Sequence, residues 1–288
     1  MRIARTALAV AVAALSLAAV QAPAHAVALC NEKPVTHLGT AEADVIVGTP
    51  GDDVILALAG DDTISGLGGN DVICAGEGND TVYGESAALD VAAAGGNDTV
   101  FAGPGDDVVV GDFGAAEFPT VVGGVGWNDY LYGGEGNDTL YGDAIDVSVT
   151  AAAIGAAFAA DGVFGGPGPD TIYGDARNLT IDVPGALGVD AAGNNLSGGD
   201  DNDTIYGNFD TVTTVGTVGG SGWRDTLNAG PGDDTVFSDA KTGSDKLTVV
   251  GDLAFTDLVN GGVGTDSADA GPGIDICANT ETPTNCEA

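Results

Sequence analysis

Aliphatic residues return at every ninth position near the start of this chain. From Gly48 to Tyr83 it reads GTPGDDVIL, ALAGDDTIS, GLGGNDVIC and AGEGNDTVY, with nothing between the blocks. Position eight is Ile55, Ile64, Ile73 or Val82, and position six is Asp53, Asp62, Asp71 or Asp80. Glycine at positions one, two and four permits tight turns. The three residues after each Asp suit a short strand, in which position eight points inward and seven and nine outward. Two turns and two strands make one coil of two blocks. Stacked coils form a right-handed parallel β-roll, an all-β β-helix.

The period begins weakly at Gly39 with Asp44, then runs through Asp98 and Asp107 to Val110. One block, Gly84 to Ala92, keeps the length but holds Leu89 in place of Asp. Counting strictly by nines places Asp44, Asp62, Asp80 and Asp98 on one edge. Asp53, Asp71 and Asp107 fall on the other, with a gap at Leu89. Beyond Val110 the pattern returns in shorter runs at Asp129, Asp138, Asp170, Asp203, Asp225, Asp234, Asp257, Asp266 and Asp275. The insertions between them, such as Ala144 to Phe164 and Ala176 to Ser197, alternate like strands. They read either as longer rungs or as loops leaving the stack.

The ends differ from the middle. Residues 1–26 resemble a secretory signal peptide, with Arg2 and Arg5, an apolar run from Ala7 to Val20, and Ala24-His25-Ala26 as a cleavage site. The expected divisions are an N-terminal cap at 27–38, a continuous roll at 39–110, an interrupted roll at 111–278 and a C-terminal cap at 279–288. Four cysteines, Cys30, Cys74, Cys277 and Cys286, suit disulfides in an exported protein. They allow three pairings. Their placement near the two ends favours Cys30 with Cys74 and Cys277 with Cys286.

Charge narrows the partners. Acidic residues outnumber basic ones 43 to 7 among 288. Such a chain repels nucleic acid and anionic lipid. Carboxylates stacked one strand spacing apart, about 4.8 Å, repel each other unless cations sit between rungs. Carboxylates and turn carbonyls offer oxygen ligands only, which suits Ca²⁺, with Mg²⁺ the weaker candidate. One buried aliphatic per block returns less than ordering nine residues costs. The metal-free chain is therefore expected to be largely disordered and to be folded by Ca²⁺.

These blocks resemble the RTX nonapeptide, GGxGxDxUx with U a large aliphatic residue, over about Gly39 to Ala278. The resemblance implies an extracellular bacterial protein holding several Ca²⁺ ions between turns of adjacent coils. The implied ligands are Asp53, Asp62, Asp71, Asp80, Asp98, Asp107, Asp138, Asp170, Asp203, Asp234, Asp266 and Asp275. Asp44, Asp129, Asp225 and Asp257 fit less well, because Glu42, Trp127, Trp223 and Phe255 stand where the fourth-position Gly belongs.

The expected function is that of a secreted, non-catalytic calcium-binding protein with a structural or surface-associated role. The chain has no GxSxG or HExxH, and His37 is the only His outside the leader. An enzyme site in the insertions is the remote alternative. A nearer one is calcium-dependent binding of polysaccharide, cell envelope or ice. It would use rows of Thr63, Thr81, Thr99, Thr139, Thr171, Thr204 and Thr235, or Tyr83, Tyr132, Tyr141, Tyr173 and Tyr206. Plain solvent-facing strand positions and cross-strand stacking account for both rows more simply.

Overall fold

The computed structural model describes residues 28–88, 95–118, 126–149, 156–181, 187–190, 193–214, 218–219, 225–237, 242–243, 258–263, 267–269, 276–280 and 282–284. These residues form a right-handed β-roll without a helix. Two parallel sheets of ten strands each face one another. The first sheet runs from His37–Leu38 through Val54–Ala59, Val72–Glu77 and Thr99–Pro104 to Ile276–Ala278. The second runs from Val45–Val47 through Thr63–Ser65, Thr81–Tyr83 and Val108–Val110 to Thr282–Thr284.

Register follows position eight. In the first sheet Ile55 pairs with Ile73, Ile73 with Val100, and Val100 with Leu131. In the second, Ile64 pairs with Val82, Val82 with Val109, and Val109 with Leu140. All of these are completely buried and form one apolar file between the sheets. Parallel pairing keeps identical positions stacked, so a single sequence period builds a continuous core.

The sequence count fails at residue 84. Val72 pairs with Thr99, a step of 27 residues, and Thr81 pairs with Val108. The block from Gly84 is therefore not half a coil. It is extra chain, and Leu89 lies outside the described residues. Asp98 consequently follows Asp71, and Asp107 follows Asp80, the reverse of the edges expected from counting by nines. No gap opens in either column.

The insertions are longer rungs. Phe113–Phe118, Ala144–Val149, Ala176–Ile181, Phe209–Thr214 and Thr242–Gly243 form a third parallel sheet of five strands. Ala156–Ala157, Leu187–Asp190 and Val218–Gly219 form a fourth, of three strands. Successive wide rungs differ little in length, repeating after 31, 32, 33 and 31 residues. Near-equal insertions stack in register, which satisfies their backbone groups. The wide rungs also bury Phe113, Val147, Phe158, Leu179 and Phe209. Their core is thicker than one aliphatic per block.

At the N-terminal end Leu29–Cys30 and Lys33–Pro34 pair as an antiparallel hairpin. A disulfide joins Cys30 to Cys74, with Cα atoms 5.9 Å apart. Cys277 is also disulfide-bonded, and Cys286 lies outside the described residues.

Candidate metal centre

Two columns of aspartate run the length of the roll. The first lies on the edge where the chain passes from the first sheet to the second, and its turns stay short in every rung from Asp62 to Asp234. The backbone N–H of each Asp donates to Oδ1 of its counterpart one rung on. Asp44 donates to Asp62 at 2.7 Å, Asp62 to Asp80 at 2.8 Å and Asp80 to Asp107 at 2.8 Å. Asp107 continues to Asp138, Asp138 to Asp170, Asp170 to Asp203 and Asp203 to Asp234, all within 2.8–2.9 Å. A carboxylate oxygen is a strong acceptor for an N–H, and this ladder ties each turn to the next.

Only one oxygen of each carboxylate is used. Oδ2 of Asp62, Asp80, Asp107, Asp138, Asp170 and Asp203 is buried without a hydrogen-bond partner. At Asp138, Asp170 and Asp203 a turn carbonyl lies beside it. A Cβ placed on Gly133 would meet Asp138 Oδ2 and, at 2.7 Å, the Gly165 carbonyl oxygen. The same pair of neighbours recurs at Gly165 and Gly198. Gly136, at φ +145°, stacks so closely on Gly105 that any Cβ would strike the Gly105 carbonyl. A turn with side chains here would not nest.

Burial, followed by neighbouring carboxylates, raises the proton affinity of these groups. Asp80 and Asp138 rise to about 6, Asp107 and Asp170 to about 7, and Asp203 to about 8. Each therefore needs a positive partner to be charged comfortably at neutral pH. Among the described residues no three His, Cys, Asp or Glu side chains converge into a metal cluster. An ion here would have to draw part of its shell from turn carbonyls, as a hard cation with six to eight oxygen ligands does.

The second column lies on the opposite edge, which opens after Asp71 to admit the third and fourth sheets. Asp53 donates to Asp71, Asp71 to Asp98, Asp98 to Asp129 and Asp129 to Asp161, at 2.7–2.8 Å. The file then passes to an amide. Asp161 donates to Asn194 Oδ1 at 2.9 Å, and Asn194 to Asp225 Oδ1 at 2.7 Å. Asp129 and Asp225, poor matches by sequence, are thus full members of the ladder. At the head of the column Thr36 Oγ1 donates to Asp53 Oδ1 at 3.1 Å, and His37 Nδ1 lies 3.3 Å from the same oxygen.

Asp161 and Asn194 escaped sequence reasoning because no glycine-rich turn precedes them. So did a third file of buried polar residues beside this column: Glu85, Asp112, Asp143, Asp175 and Asn208. Their signal is in the sequence. Each follows a Gly that follows Tyr83, Val110, Tyr141, Tyr173 or Tyr206. A solvent-side ladder at position five was also missed. There Asn79 N–H donates to Asp61, Asp106 to Asn79 and Asn137 to Asp106.

Of the twelve expected ligands, ten take ladder positions, while Asp266 and Asp275 lie outside the described residues, as does Asp257. Six of the seven threonines occupy one row of the second sheet, interrupted by Val108; Thr99 lies on the first sheet. Tyr141, Tyr173, Tyr206 and Phe237 stack with ring centroids 4.8, 4.8 and 5.2 Å apart. The three tyrosines are buried and pack with Ile145 of the third sheet. A sugar has no access to those faces.

A parallel β-roll whose turns carry stacked Gly carbonyls and buried Asp defines a class of repeat protein. The family model for the RTX calcium-binding nonapeptide repeat matches residues 38–73, 67–88, 91–115, 120–144, 160–178, 190–211 and 219–240. These segments cover more than half of the chain, which belongs to that family. Comparison with curated proteins and with solved structures gave no match. The match ends at 240, whereas strand pairing continues to Thr284.

Proposed function

We propose that this chain is a secreted calcium-binding RTX protein that Ca²⁺ folds, with a structural or surface-associated role and no catalysis. The observation that carries the reading is the file of buried, unpartnered Oδ2 atoms on the short-turn edge, with a turn carbonyl beside those of Asp138, Asp170 and Asp203. Asp62, Asp80, Asp107, Asp138, Asp170, Asp203 and Asp234 would hold the ions there, with Asp53, Asp71 and Asp98 on the other edge. Bound Ca²⁺ would supply the positive charge that lets the stacked carboxylates ionise together.

Secretion rests on the leader-like residues 1–26, which lie outside the described residues. Among the described residues no helix is long and apolar enough to cross a membrane. Extracellular Ca²⁺ sites bind at about 10⁻⁴ to 10⁻³ M, so a low-calcium cytosol would leave the chain loose for export. A surface-associated role would use the threonine row, exposed at Thr63 and half-buried beyond it, or the half-buried Tyr83 and exposed Tyr132, as the face for a polysaccharide.

Circular dichroism of the chain lacking residues 1–26 tests the reading, in EGTA and then in excess Ca²⁺, together with calorimetric Ca²⁺ titration. The expected result is a β signal that appears with Ca²⁺ and an uptake of several ions. An unchanged β signal in EGTA would remove the folding role, and absence of heat on titration would remove the binding role.

A further inference from the structure

The opened edge poses a separate problem. Here the short turn that would supply carbonyls has been replaced by a whole extra sheet. In its place Glu85, Asp112 and Asp143 stand against the ladder residues Asp98, Asp129 and Asp161. All six are at most 2% exposed. One oxygen of each is held by the backbone. Gly96 N–H donates to Glu85 Oε1 at 2.7 Å, Trp127 N–H to Asp112 Oδ2 at 3.2 Å and Ala159 N–H to Asp143 Oδ1 at 3.2 Å. The other oxygen meets no fixed donor: Glu85 Oε2, Asp112 Oδ1, Asp143 Oδ2, and Oδ2 of Asp98, Asp129 and Asp161, although the Asp112 carboxyl stands within hydrogen-bond reach of the Glu85 and Asp143 carboxyls.

The next rung shows what belongs in this space. Asn194 occupies the ladder position after Asp161. Its Nδ2 donates to Asp175 Oδ1 at 3.0 Å and to the Gly207 carbonyl at 3.1 Å. A Cβ on Gly174 would meet that Nδ2 and the Gly207 oxygen. A Cβ on Gly84, Gly111 or Gly142 would instead meet Oδ2 of Asp98, Asp129 or Asp161, together with the carbonyl of Gly111, Gly142 or Gly174. The geometry is the same, but a hydrogen-bond donor has become an acceptor. One rung further the amide changes sides, and Asn208 Nδ2 donates to Asp225 Oδ2 at 2.6 Å. Two rungs thus pair an acid with an amide that donates across the pair, although Asp175 Oδ2 still has no hydrogen-bond partner. Three rungs pair acid with acid, beside a carbonyl, and have no donor between them.

We propose that these three rungs hold a second file of divalent cations, separate from the short-turn edge. Each ion would be bound by one of Glu85, Asp112 and Asp143, by the ladder carboxylate opposite, and by the carbonyl of Gly111, Gly142 or Gly174. The file ends where Asn194 supplies the positive hydrogens itself. Two carboxylates balance one divalent charge, and carboxylate with carbonyl selects a hard ion such as Ca²⁺. The inference rests on the reading that the chain takes up Ca²⁺. It adds Glu85, Asp112 and Asp143, which lie outside the nonapeptide turn, as ligands, and ions at Asp129 and Asp161 beyond the one already assigned to Asp98.

Trp127 offers a probe local to this file. A Cβ on Gly95 would touch both its ring and Glu85 Oε1. Tb³⁺ replacing Ca²⁺ here would be excited through Trp127. The experiment compares wild type, Asp112→Asn, Asp143→Asn and the short-turn variant Asp138→Asn/Asp170→Asn by Ca²⁺ titration and by Trp-sensitised Tb³⁺ luminescence. Asn194 and Asn208 show that the fold accepts an amide on either side of the pair.

Asp112→Asn and Asp143→Asn are expected to lose one Ca²⁺ each. Asp112→Asn should also lower the Tb³⁺ signal several-fold, whereas the short-turn variant loses ions and keeps that signal. The reverse variant, Asn194→Asp, should gain one Ca²⁺, which tests the idea even if the loss variants fold poorly. Full Ca²⁺ uptake by both loss variants, or no gain in Asn194→Asp, would overturn the proposal and leave the pairs sharing a proton. Loss of ions in the short-turn variant alone would spare the proposed function, whereas no Ca²⁺ uptake by wild type would end both.

Discussion

The backbone N–H of Asp138 donates to Oδ1 of Asp170 at 2.8 Å, while Asp170 Oδ2 is buried without a partner. One carboxylate thus has two separable duties, spacing the rungs and facing the turn carbonyls. Substitution can divide them. Asp170→Asn keeps an oxygen for the ladder and removes a charge. It should fall below wild type in saturating Ca²⁺ through the lost ligand charge alone. Asp170→Ala removes the acceptor as well and should cost about 1–3 kcal/mol more. Urea melts of both variants in saturating Ca²⁺ check this; equal loss for Asn and Ala would contradict it.

The metal-free protein should be more stable in acid than at neutral pH. Burial raises Asp80 and Asp138 to about 6, Asp107 and Asp170 to about 7, and Asp203 to about 8, from a usual value of 3.8. A raised folded-state value means that the folded chain holds protons the unfolded chain has released. That stabilisation is fully present below the unfolded value and is lost as pH rises through the folded values. In EGTA the β signal should therefore be fullest near about pH 4 and be lost toward about pH 8. Saturating Ca²⁺ should keep it at the higher pH, because the ion takes over from the proton. A β signal that grows with pH in EGTA would count against this account.

Gly136 lies at φ +145° with the Gly105 carbonyl against it. Gly136→Ala needs both a strained backbone and a wider rung. A loss of about 1 kcal/mol or more is expected, with weaker Ca²⁺ uptake, since the displaced carbonyl belongs to the turn that ends at Asp107. Gly51→Ala meets nothing within 4 Å and should be near neutral. Thermal melts of the pair measure the contrast.

The Cys30–Cys74 bond closes a separation of 44 residues and joins the terminal hairpin to the third strand of the first sheet. Replacing both with Ser should cost about 2–5 kcal/mol. The loss should be local. Hydrogen exchange is expected to rise in residues 28–59 and to stay unchanged around Thr139–Tyr141. A uniform rise across the roll would mean that the bond supports the whole stack.

Much of this architecture is legible in the nine-residue period. Ile55, Ile64, Ile73 and Val82 identify the apolar file, because position eight faces inward in every block. Asp62, Asp80, Asp138 and Asp170 identify the short-turn edge, because glycine lets adjacent turns nest there. The sequence alone determines that two parallel sheets form, that carboxylates stack on their edges, and that oxygen is the ligand on offer.

Tertiary structure decides how coils of unequal width join. Counting by nines treats Gly84 to Ala92 as half a coil, but Thr99 pairs with Val72, 27 residues back, and the block becomes extra chain within one coil. Asp98 and Asp107 exchange edges as a result. The extra segments are weakly patterned one at a time and become a sheet only because several of similar length lie one above another. The match between Asp112 and Asp129, or between Asp175 and Asn194, joins residues well apart in the chain. Whether such a pair repels or closes on itself depends on which two side chains the stack brings face to face.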